Sequence, residues 1–276
     1  MVLPRIPIGE VVEGAVDWAY AHFGGFLDSL SSVLGVLEDA FKDLLLFPPP
    51  LVMILIIISL VWLVNKRNWK LILGTLLGLL LIESMGLWEF SMVTLALVIT
   101  SAFLALLVGL PIGILSSRSD TANHIATPLL DFMQTMPSFV YLIPAMMFFG
   151  VGNVPGVIAT VVFAMPPIIR LTNLGIRQVP EELVEVADVF GSTPWQKLVK
   201  VQLPLAMPTI MAGVNQCIML ALSMVVIAAM IGAGGLGEEV LKALMRMRVG
   251  PGFEAGLGIV IIAMILDRIT RSLTER

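Results

Sequence analysis

The sequence predicts an all-α polytopic membrane protein with about seven transmembrane helices. Three observations carry that expectation. Hydrophobic residues make up 58% of the 276 and charged residues only 13%, roughly half the charge of an average soluble domain at about 25%. Mean hydropathy is +0.99. The apolar residues also fall into runs long enough to cross a bilayer, for which about 20 helical residues are needed. The length suits one membrane domain with a modest appendage, and no hydrophilic stretch is long enough to fold as a separate nucleotidase or receptor. A net charge of −4 without a clustered basic face excludes a nucleic-acid partner. The lone Cys217 excludes disulfide frameworks and zinc clusters and reads as a small core residue.

Residues 1–47 form the first unit, read as an extracytoplasmic amphipathic segment. Glu10, Glu13, Asp17, Asp28, Glu38, Asp39 and Asp43 alternate at helical spacing with apolar residues such as Phe23, Leu30, Leu34 and Phe41. That pattern describes a helix on a membrane face or against a partner, not a span. Its acidic polar face favours packing on protein over anchoring to anionic lipid. No basic start, apolar stretch and small-residue cleavage site of a signal peptide is seen, so insertion is expected through the internal spans.

Residues 48–88 form the second unit, an accessory transmembrane hairpin. Pro48, Pro49 and Pro50 precede the apolar run 51–64, which Lys66, Arg67 and Lys70 close. A second run from Leu71 continues to Trp88 and places Glu83 near an interface.

Residues 89–273 form the third unit. Met92 to Leu115 is a long span containing Pro111, with Arg118 and Asp120 in the loop after it. The uncharged stretch 132–169 is about twice the ~20 residues one crossing needs, so the chain turns inside it, at the glycine- and proline-rich segment 150–156. Leu203 to Ile231 spans again. The last span lies between Glu254 and Asp267, a short uncharged run whose flanking charges belong at the interfaces. With the N terminus outside and the C terminus inside, Lys66, Arg67, Lys70, Arg118, Arg170, Arg177, Lys197, Lys200, Arg268, Arg271 and Arg276 are cytoplasmic. Arg5, Lys42, Lys242, Arg246 and Arg248 are outside, and this asymmetry favours the orientation over its inverse.

The segment 179–204 is the one long polar element on the cytoplasmic side. Pro180 followed by Glu181 and Glu182 starts a helix, because its φ is preset and acidic residues suit the positive end of the helix dipole. Glu181, Glu185 and Asp188 share one face, Val184, Ala187 and Phe190 are free to pack elsewhere, and Gly191 ends the helix. Thr193, Pro194 and Gln196 have the spacing of a capping box that opens a second helix running towards Leu203 and Pro204.

Glu185, Val186 and Ala187, then Gly191 after three residues, then Val201, Gln202, Leu203 and Pro204 after nine, form a pattern that resembles the EAA loop of ABC importer permeases. Val186 and Val201 replace the usual Ala and Ile, and the spacing is intact. The resemblance covers roughly 127–273, and the segments 133–137, 150–156, 202–216 and 231–237 are similar to the glycine betaine/proline betaine branch. It implies a type I importer core of five spans preceded by the amphipathic helix and the hairpin. It assigns ATPase coupling to Glu185, Ala187, Gly191, Val201, Leu203 and Pro204. The implied partners are a cytoplasmic ABC ATPase subunit, an extracytoplasmic solute-binding protein, a second permease copy and the lipid of a bacterial cytoplasmic membrane. ATP and Mg belong to the ATPase, because this chain has no G-x-x-x-x-G-K-[ST] motif and is expected to hold no cofactor, metal or catalytic residue.

Polar residues within spans are the candidates for a solute path. Ala212, Gln216, Met219 and Ser223 share one helical face with Asn215 beside it, and either lining or interhelical hydrogen bonding fits them. Met133, Gln134 and Met136 before Pro137 line a gate or serve as packing. Trp62, Trp69 and Trp88 sit near span ends as interfacial anchors, while Trp18 and Trp195 are extramembrane, so no aromatic cluster for a quaternary ammonium appears in the core. Selection of the solute is therefore expected in the binding protein. His22 and His124 are isolated, and Asp131 and Arg170 read as interfacial charges. The expected function is a permease subunit moving glycine betaine, proline betaine or a related compatible solute. The alternatives are an importer for proline, choline or histidine, or an ATP-independent secondary transporter.

Overall fold

The structure, a computed structural model, describes residues 8–64 and 69–274; Arg5, Lys66, Arg67 and Arg276 lie outside them. Every regular element among the described residues is helical. Helix α1 (Ile8–Leu46) meets α2 (Pro50–Val64) at the Pro48–Pro50 break with a bend of 100°. Thus α1 runs crosswise to the hairpin that α2 forms with α3 (Trp69–Ser84). Its inner face rests on α4 (Trp88–Arg118), α6 (Leu142–Phe149) and α7 (Asn153–Ala164). Protein packing is therefore what part of its apolar stripe meets, although Trp18, Phe23 and Phe26 stay exposed.

Helix α5 (Asp120–Thr135) follows α4 almost directly, where a loop was expected. Ser119 explains it: its hydroxyl accepts from the Ala122 amide as an N-cap, and Asp120 occupies the first turn. Met136 and Pro137 break the next stretch, so α5 and the short helices at 138–149 meet at 106°. The uncharged segment thus turns twice, here and at Gly150 and Gly152, whose φ of +76° and +132° only glycine adopts readily.

Helix α7 continues through Pro166 and Pro167 into α8 (Pro166–Arg177), and the two together are long enough to cross a bilayer. Helix α9 (Glu181–Val189), α10 (Pro194–Lys197), a π-helical turn at Leu198–Gln202 and α11 (Leu203–Ala229) follow. Helix α12 (Leu236–Met245), which carries Lys242, leads to α13 (Val249–Thr274). Among the described residues four helical segments are long and apolar enough to cross a bilayer: 88–118, 153–177, 194–229 and 249–272. Counting each bent pair as one crossing makes six. The difference between six and seven is α3, whose 16 residues, at about 1.5 Å per residue, fall short of a crossing, and α2 enters the count only as part of a bent pair with α1.

Glycines set the spacing in the middle of the molecule. A Cβ on Gly113 of α4 would lie 2.6 Å from Thr172 of α8, and one on Gly213 of α11 would lie 3.1 Å from Leu171. Helix α8 is thereby clamped between α4 and α11 by backbone-to-backbone approach, the small-residue packing that spans use where lipid gives no hydrophobic drive between helices. Trp88 departs from its expected anchoring role. It is buried in the main cluster with Ile54, Ile82 and Leu87, because α4 starts beneath the hairpin and not at a free interface.

Candidate functional site

The segment 179–204 folds as a helix–glycine–helix hairpin. Gly191 takes φ +71°, and the Ser192 amide returns to the Ala187 carbonyl at 3.0 Å, closing the end of α9. The capping box forms in full: the Gln196 amide donates to Thr193 Oγ1 at 3.3 Å, and the Thr193 amide donates to Gln196 Oε1 at 2.9 Å. Lys197 Nζ, 2.7 Å from Asp188, ties the second arm to the first. Arg118 at the end of α4 donates to the Pro194 carbonyl at 2.8 Å and holds the hairpin against the spans.

Two features of the hairpin differ from expectation. Phe190 does not pack: it is 83% exposed beside Val189 at 86%, and Leu183, Val186 and Trp195 are exposed too. Ala187 is the buried residue of α9. An apolar face on a polar hairpin is thus turned away from the rest of the chain, with Glu185 exposed along it. The second arm is also no separate helix. One helical rod of 36 residues runs from Pro194 to Ala229, and Val201 and Leu203 lie inside it with Leu203 packed near Ile176, Leu198, Ala206 and Ile210. The wider π turn at 198–202 absorbs one register step without breaking the rod. Pro204 lies inside the rod directly after that turn, where the i−5 register already departs from the α ladder and accommodates a residue without an N–H.

Behind the hairpin lies a polar knot that sequence reading did not anticipate. Arg177 donates to the Ser116 carbonyl at 2.9 Å, to Asp120 at 2.7 Å and to Asn173 at 2.9 Å, and Asn173 donates to Asn123 at 2.7 Å. Asp131 and Arg170 pair with each other across α5 and α8. Three helices converge on one guanidinium, and the only forward signal was Ser119 followed by Asp120.

The candidate path residues divide. Gln216, Met219 and Ser223 stand exposed along one face of α11 with Ala212, and Gln134 is exposed at the end of α5. Asn215 points the other way, donating to Asp267 at 2.9 Å and accepting from Thr270 at 2.6 Å, so it joins α11 to α13. Met133 packs with Leu130 and Ile169, and Met136 lies against the cluster of Tyr141 and Met224. At the opposite end from the hairpin, the two glycine-rich segments meet: the Gly152 amide donates to the Ile231 carbonyl at 2.9 Å, and the Gly234 amide donates to Asn153 Oδ1 at 2.8 Å. Asn153 Nδ2 donates to Glu38 Oε1 at 3.0 Å, which brings α1 into the same junction. Nearby on α12, hydrogen bonds from Lys242 to Glu238 and Glu239 hold its ammonium above the ordinary lysine range. Among the described residues no group of three His, Cys, Asp or Glu is placed to hold a metal.

Residues 109–276 match the family described as binding-protein-dependent transport system inner membrane component. The chain belongs to that family. Like other members, this inner membrane component is a multi-pass protein. It is 52% identical to the glycine betaine transport system permease protein OpuAB of Bacillus subtilis over 98% of this chain and 95% of that one. It is 52% identical to the glycine betaine/carnitine transport permease protein GbuB of Listeria monocytogenes, over 99% and 98%. Against the glycine betaine/proline betaine permease ProW of Escherichia coli, identity is 49% over 97% of this chain and 75% of that one. In fold it is similar to a chain of the inward-facing MetNI methionine ABC transporter, with TM-score 0.60 and 22% identity over 65% of this chain and 92% of the other.

Proposed function

We propose that this inner membrane component is the permease subunit of an ATP-driven importer for glycine betaine, proline betaine or a closely related compatible solute. The observation that carries the reading is the hairpin: a capped, glycine-hinged element with an exposed apolar face, continuous with a helix long enough to cross the bilayer. A cytoplasmic ATPase subunit, holding ATP and Mg, docks on Glu185, Gly191 and the exposed apolar face of Val189 and Phe190, while buried Ala187 seats α9 against the rest of the chain. Closure of its dimer moves the rod through Val201, Leu203 and Pro204 as one body. A second permease copy faces the polar stripe of Gln216, Met219 and Ser223 with Gln134. The solute passes along that stripe between inward and outward states. The hairpin faces the cytoplasm with the C terminus, and α1 lies on the outer face, where a solute-binding protein delivers the cargo. The names of the relatives sharing about half of all positions over nearly the whole chain support the solute class.

The test is ATP-dependent uptake of radiolabelled glycine betaine into proteoliposomes holding the chain, its ATPase and its binding protein, with proline betaine, carnitine and proline as competitors. Uptake is expected to need ATP and to vanish in a folded Gly191→Pro variant. Uptake without the ATPase would overturn the reading in favour of a secondary transporter.

A further inference from the structure

A groove of about 380 Å³ lies between α3 and α13, remote from the hairpin face and from the α11 stripe. Its shape follows from two glycines one turn apart. At Gly78 the helices touch, since a Cβ there would sit 2.7 Å from Ile261, whereas at Gly74 a Cβ would meet nothing within 4 Å. The helices therefore splay towards the start of α3 and the end of α13. Lys70 and Arg268 line the groove at this mouth, and Leu71, Met264 and Ile265 give it apolar walls. Neither cation has a carboxylate within ion-pair distance among the described residues, because Asp267, beside Arg268, is turned to Asn215 and Arg271. Thr75, 2% exposed, closes the groove on the α3 side.

We infer that this groove binds one anionic phospholipid. Its phosphate sits between Lys70 and Arg268, and an acyl chain lies on the apolar walls given by Leu71, Met264 and Ile265. Two cations with no ion-pair partner among the described residues, one on each helix at the mouth of an apolar cleft, match that amphiphile. The volume exceeds what inorganic phosphate fills, and the apolar walls give a free ion nothing to meet. Only the leaflet, the cytoplasmic one, rests on the orientation proposed above; binding itself does not depend on which solute is carried.

The test is native mass spectrometry of the full chain with the subunits that co-purify, after delipidation and incubation with equal amounts of phosphatidylglycerol and phosphatidylcholine. About tenfold preferential retention of phosphatidylglycerol is expected, falling to the phosphatidylcholine level in Lys70→Gln/Arg268→Gln. Gly74→Leu plugs the groove from a position with free space around it, so it should lose the lipid at an unchanged unfolding temperature, and it serves as the test if the double variant does not fold. Equal retention of the two lipids by the parent protein would overturn the inference, as would wild-type retention in both variants. So would displacement of phosphatidylglycerol by an equal concentration of inorganic phosphate, which would mark an ion site only.

Discussion

The carboxamide of Asn153 donates to the carboxylate of Glu38, whose residue is 3% exposed, and accepts from the Gly234 amide, so one side chain joins α1 to two glycine-rich turns. Removing the donor strands a buried carboxylate, which costs more than losing a neutral bond. Asn153→Ala should therefore lower stability by about 2–4 kcal/mol and release α1 to protease. Glu38→Gln, which still offers an acceptor, should cost under half as much. Thermal unfolding in detergent and timed proteolysis read both, and equal losses in the two variants would refute the role given to Asn153.

How far this was legible in the sequence depends on the range of the interaction. Gly191, Thr193, Pro194 and Gln196 act on neighbours within a few residues, so the hairpin was readable in advance. Glu38 meets Asn153 across 115 positions, and its spacing reads only as one more residue on an acidic helix face. Phe190 was misjudged for the opposite reason: periodicity tells which face is apolar, not whether this chain supplies the surface that covers it. The elbow after Thr135 escaped because the residue before Pro137 is restricted only locally, and nothing in an uncharged run announces a 106° turn.

The hairpin's cap and hinge should fail to different extents. Thr193→Ala removes a side-chain cap worth about 1 kcal/mol, so ATP-driven uptake should fall partly while the fold survives. Gly191→Val forces a β-branched residue to φ +71° and should abolish coupling at near-normal insertion. Uptake normalised to inserted protein discriminates the two, and wild-type uptake by the valine variant would contradict the hinge.

Packing and path can be separated on α11. Asn215→Ala breaks the bonds to Asp267 and Thr270 and should lower the unfolding temperature, with about 1–2 kcal/mol lost. Gln216→Ala touches an exposed stripe and should leave that temperature alone while changing uptake. Paired melting and transport assays decide, and the reverse pattern would reassign both residues.

Glycine position, not glycine content, should govern tolerance. An added methyl on Gly237 would collide with the Val225 carbonyl, whereas Gly250 has nothing within 4 Å of its Cβ. Gly237→Ala should cost about 1–3 kcal/mol or more through overpacking, and Gly250→Ala should be near neutral. Yields of folded protein after mild heating provide the comparison.

The seams at Gly113 and Gly213 leave α4, α8 and α11 almost no room to tilt against one another. These three helices therefore behave as a single stiff block over the timescale of a transport cycle, and the compliance of the molecule must reside at its margins. The elbow between α5 and α6 is where the cycle can bend, so labels placed across it should report distance changes that labels within the block do not.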